Sequence, residues 1–117
     1  MLDEKLFKQV LINLVQNAIV AMDGGGKLLI STKIIGDKYA ICVSDTGIGM
    51  DEQTASRVFE PYFTTKATGT GLGLTMVYKV IKEFGGDIEV ESYEGKGTIF
   101  TISLPIPQKE KHLLTEI

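Results

Sequence analysis

Two segments with helical periodicity, each followed by glycines and by a pair of β-rich segments, constrain the fold of this chain more than any other feature. Apolar residues recur at helical spacing from Asp3 to Met22, where Asp3 is a candidate N-cap, and the glycines at 24–26 end that pattern. A second helical pattern begins at Leu74, includes Ile81 and ends at the glycine pair 85–86. A chain that alternates helix and strand pair in this way is expected to pack its helices on one face of a sheet.

The β-rich segments divide into two hairpins. Lys27–Ile35 and Tyr39–Asp45 are joined by a short turn that contains glycine. Residues 88–91 and 98–104 alternate apolar and polar residues on either side of a second turn. With a short helix near Asp51–Phe59, the sequence predicts an α+β two-layer sandwich, in which about three helices cover one face of a mixed, mostly antiparallel sheet.

Length and composition limit the classes of function. The 117 residues fit one domain over 1–105 and a polar tail over 106–117, and Cys42, the single cysteine, is expected to be a small buried residue rather than a reactive thiol. A net charge of −3 with one arginine, Arg57, and no basic run argues against nucleic-acid binding. No apolar stretch has the length of a membrane span and no signal peptide opens the chain. We therefore expect a cytoplasmic domain without direct membrane contact, whether or not a parent protein is membrane-anchored.

Asp45 is the first candidate site residue. Strand alternation places it on the same face as Ile41 and Val43, towards the predicted helices, and Gly47 and Gly49 allow a sharp turn and the close approach of a flat ligand. A carboxylate there can accept a hydrogen bond from an exocyclic amine such as that of adenine. One alternative is an Asx turn, in which the carboxylate caps its own backbone. Another is the Asp-Thr-Gly half-site of dimeric aspartic proteases, which the two amphipathic helices disfavour.

Asn13 and Asn17 form a second candidate site. Their separation of four residues places both amides on one face of the first helix. A carboxamide oxygen is a hard, neutral ligand that suits Mg²⁺, which takes its remaining ligands from water and phosphate. The alternative is that both are surface or helix-pairing polar residues.

The glycine-rich segment before the second helix is a candidate phosphate site. Its spacing fits neither the Rossmann fingerprint nor the P-loop. Free N–H groups at a helix N-terminus nevertheless bind anions, and a flexible linker is disfavoured by the leucines in this segment. In the preceding segment 59–66, Lys66 is the best cationic candidate for a terminal phosphate, and a solvated lysine is the alternative. The candidate phosphate-binding residues are Gly69, Thr70, Gly71, Leu72 and Gly73.

Taken together, these motifs closely resemble the catalytic, ATP-binding domain of bacterial sensor histidine kinases, in the Bergerat-fold (GHKL) superfamily, over about residues 3–105. Residues 13–18 resemble the N box, 45–49 the G1 box, 59–66 the F box and 69–74 the G2 box. The resemblance implies the Bergerat fold, with ATP as the nucleotide and Mg²⁺ as its metal ion.

The resemblance also implies roles for individual residues. Asp45 would bind the adenine amine, and Thr98 would support adenine through a water molecule. Asn17 would coordinate Mg²⁺, with Asn13 nearby as a second polar residue. The backbone amides of 69–73 would contact the phosphates.

One position separates the subfamilies. Related ATPases carry a glutamate four residues before the metal asparagine, and Asn13 in that position is a poor general base. The resemblance therefore implies phosphoryl transfer to a protein rather than hydrolysis. Ala21 stands where many relatives have Lys or Arg, and His112 lies in the polar tail, so it is not expected to be the acceptor.

The expected acceptor is a histidine on a separate dimerisation domain of the same parent protein, with a response regulator downstream. The chain would then be a catalytic fragment that begins just after the dimerisation helices. A serine kinase of the anti-sigma-factor type and a non-catalytic, nucleotide-binding regulatory module are the alternatives. The segment 59–66 favours the histidine kinase.

Overall fold

The computed structural model of the chain describes residues 4–60 and 73–106. The element order is helix, hairpin, short helix, helix, hairpin, as the sequence predicts. The elements are α1 (Glu4–Ala21), β1 (Leu28–Ile35), β2 (Lys38–Asp45), α2 (Glu52–Arg57), α3 (Gly73–Glu83), β3 (Asp87–Tyr93) and β4 (Gly97–Pro105). Asp3, the candidate N-cap of α1, lies outside the described residues.

The first helix ends where the sequence places its glycines. The N–H of Met22 donates to the carbonyl oxygen of Ala18 at 3.1 Å, and the N–H of Gly25 donates to that of Met22 at 2.8 Å. Gly24 and Gly25 have φ angles of 91° and 114°, which disfavour residues with a Cβ atom. The chain can therefore turn away from the helix and enter β1 within a few residues.

The four strands form one sheet in the order β1-β2-β4-β3, and all neighbouring pairs among the described strands are antiparallel. The central pair β2 and β4 places Asp45 opposite Thr98, and the pair β3 and β4 places Thr98 opposite Ser92. Because opposite residues in an antiparallel pair point to the same face, these three side chains form one row across the sheet.

The core lies between the sheet and the helices α1 and α3. Since one face of each helix packs on the inner face of β2 and β4, the apolar residues with helical or alternating spacing meet there. Burying each such aliphatic side chain stabilises the fold by about 1.5–3 kcal/mol. The most completely buried large side chains are Leu14, Ile81, Ile102, Val10, Val43 and Val77.

Cys42 and β1 are more exposed than the core strands. Cys42 is half-buried rather than buried as expected, because it alternates with Ile41 and Val43 and so faces away from the core, with Sγ 3.6 Å from Thr101 Oγ1. Every residue of β1 is exposed, although five of its eight residues are Leu or Ile.

Within residues 4–60 and 73–106, no helix is long and apolar enough to cross a bilayer.

Candidate nucleotide-binding site

A pocket of about 350 Å³, including its open mouth, lies beside α1, the first turn of α3 and the ends of β2 and β4. Its polar side chains belong to Asn17, Asp45 and Thr98. The three residues, which come from α1, β2 and β4, thus line one cavity. Its apolar lining includes the side chains of Ile48, Met50, Leu74 and Phe100.

Asp45 is 6% exposed at the end of β2. The N–H of Gly47 donates to Asp45 Oδ1 at 2.8 Å, so one carboxylate oxygen forms the Asx turn that was the alternative interpretation. Burial raises the pKa of the Asp45 carboxyl above its ordinary value of 3.8, while the backbone N–H groups of Gly47 and Thr98 oppose the rise. The turn and a ligand-binding role are compatible, since a carboxylate has two oxygens and Asp45 also lines the pocket.

Thr98 lies opposite Asp45 in the sheet and is 5% exposed. Its Oγ1 is 2.8 Å from Ser92 Oγ. Gly97, which precedes it, has a φ of 97°, and a Cβ atom there would collide with the carbonyl oxygen of Asp45. Only glycine therefore allows β4 to begin this close to the end of β2.

Both asparagines of α1 use their amide nitrogens within the helix. Asn13 Nδ2 donates to the carbonyl oxygen of Gln9 at 3.0 Å, and Asn17 Nδ2 donates to that of Asn13 at 2.9 Å. Each Oδ1, which accepts no hydrogen bond from the described residues, is then the end of its side chain that could bind a metal ion. A Cβ atom at Gly73 would lie 2.8 Å from Asn13 Oδ1, so Asn13 contacts the start of α3.

A magnesium ion fits this chemistry. Amide oxygens are hard donors that Mg²⁺ accepts beside water and phosphate oxygens. The described residues contain no group of three His, Cys, Asp or Glu side chains that could hold a metal by themselves. An ion beside Asn17 would therefore take most of its ligands from water and phosphate.

The glycines after Asp45 serve a purpose that the sequence analysis did not predict. A Cβ atom at Gly47 would collide with the carbonyl oxygen of Ala21, and one at Gly49, whose φ is 68°, would collide with that of Tyr93. The close approach is therefore to the protein's own backbone on both sides, although Gly49 also lines the pocket.

Ser92 is a site residue that the sequence analysis missed. Its Oγ accepts a hydrogen bond from the N–H of Met50 at 2.8 Å, and the N–H of Gly95 donates to the carbonyl oxygen of Ile48 at 2.7 Å. The turn between β3 and β4 thus holds the loop that follows Asp45. A signal was present, because Ser92 is a polar residue in phase with the core-facing Ile88 and Val90.

The glycine-rich segment is described only at its end, where Gly73 begins α3. Phe59 packs on the core, with its ring 5.3 Å from that of Tyr78, and its carbonyl oxygen accepts a hydrogen bond from Thr75 Oγ1 at 3.1 Å. The other predicted phosphate-binding residues, Lys66, Gly69, Thr70, Gly71 and Leu72, lie outside the described residues.

A helix-covered antiparallel sheet, with an acid and an asparagine in one pocket beside a helix N-terminus, defines a nucleotide-binding domain of the Bergerat type. Residues 2–108 match the family described as histidine kinase-, DNA gyrase B- and HSP90-like ATPase. The chain belongs to this family of ATPases, and it matches the catalytic domains of histidine kinases.

Relatives support this assignment. The chain is 50% identical over 102 residues to sporulation kinase E of Bacillus subtilis, covering 86% of the chain and 14% of that kinase. It is 44% identical over 110 residues to the sensor histidine kinase ZraS of Salmonella typhi, covering 93% of the chain and 24% of ZraS. The chain therefore spans less than a quarter of the length of these relatives.

Solved structures show the same fold. The catalytic domain of histidine kinase ThkA has a TM-score of 0.78 and 41% identity, over 88% of this chain and 68% of that one. Full-length ShkA in complex with AMPPNP has a TM-score of 0.80 and 32% identity, over 88% of this chain and 22% of ShkA.

Proposed function

We propose that this domain binds Mg-ATP and transfers the γ-phosphoryl group to a histidine on a dimerisation domain of the same parent protein, from which a response regulator receives it. The observation that carries this proposal is the joint presence of Asn17, Asp45 and Thr98 in one partly apolar pocket. A planar base needs apolar walls with a few polar groups, and a triphosphate needs a metal ion and N–H donors.

Adenine recognition falls to Asp45 and Thr98. The buried carboxylate accepts a hydrogen bond from the exocyclic amine. Its position in an apolar pocket makes that bond selective, because a base with a carbonyl in place of the amine would place a partly negative oxygen against the carboxylate. Thr98 supports the base from the neighbouring strand. Ile48 and Leu74 supply apolar surface for the ring.

Asn17 would hold the metal ion through Oδ1, and Asn13 would contribute a second amide oxygen near α3. When bound, Mg²⁺ neutralises phosphate charge. The N-terminus of α3, which begins at Gly73, favours negative charge through its free N–H groups. The backbone N–H groups of residues 69–73 and the ammonium of Lys66 complete the proposed phosphate site.

The transfer step needs no general base from this domain. A histidine ring nitrogen of the acceptor attacks the γ-phosphorus, the bond from that phosphorus to the β,γ-bridging oxygen breaks, and ADP leaves with the electron pair. Positioning and charge neutralisation supply most of the catalysis in such reactions. Asn13 agrees with this scheme because an amide cannot activate a hydrolytic water.

The first experiment is a calorimetric titration of the domain with Mg-ATP, beside Asp45→Asn. Asparagine can still accept the hydrogen bond from the Gly47 N–H, so the turn is retained while the charge is lost. We expect the wild type to bind and the variant to lose at least about tenfold in affinity, as expected for one charged hydrogen bond. Equal affinities would refute the pocket assignment.

A phosphotransfer assay with the dimerisation domain of a homologous kinase tests the second half of the proposal. Acid-labile, alkali-stable phosphoprotein supports a histidine acceptor. Acid-stable phosphoprotein would instead support the serine-kinase alternative, and nucleotide binding without any transfer would support the regulatory module. Asn17→Ala should abolish the metal-dependent transfer while leaving the unfolding midpoint close to that of the wild type.

A further inference from the structure

Ser92 lies behind the proposed adenine pocket rather than in it. It is the third member of a row across the sheet that begins with Asp45 on β2 and continues with Thr98 on β4. The next two rows on the same face of the sheet are apolar. One consists of Val43, Phe100 and Val90, and the other consists of Ile41, Ile102 and Ile88. A polar row at the end of an apolar inner face indicates that these three residues act together.

The hydroxyl of Ser92 joins three segments. It accepts from the N–H of Met50 at 2.8 Å, lies 3.1 Å from the carbonyl oxygen of Gly97 and lies 2.8 Å from Thr98 Oγ1. A serine hydroxyl has one proton and two lone pairs. With one lone pair bound to Met50, the remaining donor and acceptor capacity is directed at Gly97 and Thr98, which restricts how the Thr98 hydroxyl can be oriented.

We propose that Ser92 is a positioning residue for base recognition. Its hydroxyl orients the Thr98 hydroxyl and holds Met50, at the end of the loop that follows Asp45. The Thr98 hydroxyl and the Asp45 carboxylate then face the base in one arrangement. The inference rests on the proposed function of the pocket. It goes beyond that function because Ser92 does not line the pocket with Asp45 and Thr98, and therefore acts through its neighbours.

The test compares affinities for ATP and for inosine triphosphate, which has a carbonyl in place of the adenine amine. We expect Ser92→Ala to weaken ATP binding about tenfold, as for the loss of the part-buried hydrogen bond that orients Thr98 Oγ1, and to change inosine triphosphate binding much less. Ser92→Thr keeps the hydroxyl and should retain the wild-type ratio. Ser103→Ala, at a half-buried serine of β4, is the matched control and should leave both affinities unchanged.

A double variant separates positioning from a general loss of structure. If Ser92 acts through Thr98, then Ser92→Ala in a Thr98→Val background should cost little further ATP affinity. Fully additive losses would overturn the inference, because they would mean that the two residues act independently. Should Ser92→Ala not fold, Ser92→Cys keeps the size of the side chain with a weaker hydrogen-bonding group, and the same ratio is measured.

The outcomes distinguish the two proposals. A wild type that binds ATP, with an ATP preference unchanged in Ser92→Ala, overturns the role of Ser92 alone. A wild type that binds neither nucleotide overturns the proposed function and the role of Ser92 with it. A reduced ATP preference in Ser92→Ala, restored in Ser92→Thr, supports the inference.

Discussion

The two hairpins have similar strand lengths and different environments. Each pairs two strands of seven to nine residues across a glycine-containing turn. In the turn between β1 and β2, a Cβ atom at Gly36 would have no neighbour within 4 Å, although the carbonyl oxygen of Asp37 accepts a hydrogen bond from the N–H of Ile106 at 2.9 Å. The turn between β3 and β4 packs on the loop after Asp45, where Gly97 and Gly49 leave no room for a Cβ atom. Gly36 is therefore needed only for its backbone angle, whereas Gly97 is needed both for its backbone angle and for its close contact with Asp45.

The largest effect is expected at Gly97. Gly97→Ala should destabilise the domain by about 4 kcal/mol, because it adds left-handed strain to a backbone collision with Asp45. Gly36→Ala has the strain without the collision and should cost about 1 kcal/mol. Urea unfolding of both variants tests the contrast. Gly95, with a φ of 77° and open space, is a second control inside the same hairpin as Gly97, and equal costs at all three positions would refute the explanation.

The strands themselves should show the next largest contrast. Ile102→Ala in β4 removes a side chain that is 0% exposed and should cost about 3–4 kcal/mol, since the core cannot fill the cavity completely. Ile35→Ala in β1 removes one that is 56% exposed and should cost about 0.5 kcal/mol or less. The measurement is the free energy of unfolding of each variant. A large cost at Ile35 would mean that β1 is covered in solution.

The smallest expected effect is a pH dependence of the stability of the fold. It concerns Asp45, which lies at the end of β2 and lines the pocket. Because burial raises the pKa of Asp45, the folded state holds its proton more tightly than the unfolded state does. The contribution of Asp45 to stability is thus fully present below its ordinary pKa of 3.8 and is lost as the pH rises through the folded value. Asp45→Asn does not titrate, so without nucleotide it should be more stable than the wild type near neutral pH.

Unfolding curves of the wild type and Asp45→Asn at about pH 7 and about pH 4 check this expectation, because the difference should shrink towards the lower pH. Asp23→Asn, at an exposed aspartate just after α1, is the control for removing one surface charge. A stability difference that is the same at both pH values would show that burial of Asp45 is not its cause.

Much of the fold was predictable because it depends on short-range pattern. The helical spacing around Leu14 predicts which face of α1 is apolar, and the alternation through Val43 and Phe100 predicts the same for β2 and β4. These faces are buried in the structure. The inward position of Thr98 followed from the same alternation. The exposure of β1 was not predictable, since its many Leu and Ile residues look like those of a core strand.

The site was predictable only in part. The motifs identified Asp45 and Asn17, and the structure brings both to one pocket. The role of Gly47 and Gly49 was predicted incompletely, since these glycines make room for backbone that is distant in sequence. Ser92 was missed because a single serine in a strand carries no motif, and its hydrogen bonds go to residues on other elements.

The sequence by itself determined the element order, the apolar faces and the residue types of the candidate site, because spacing, glycine and side-chain chemistry are local properties. The tertiary structure decided which turn supports the site, which strand stays exposed and which serine lies behind Thr98. These depend on the register of β2, β4 and β3, which aligns Asp45, Thr98 and Ser92 in one row. The short turn sets the register of β3 against β4, but the register of β2 against β4 is set by packing between residues far apart in the chain, and so no local pattern specifies which residues of the two hairpins meet.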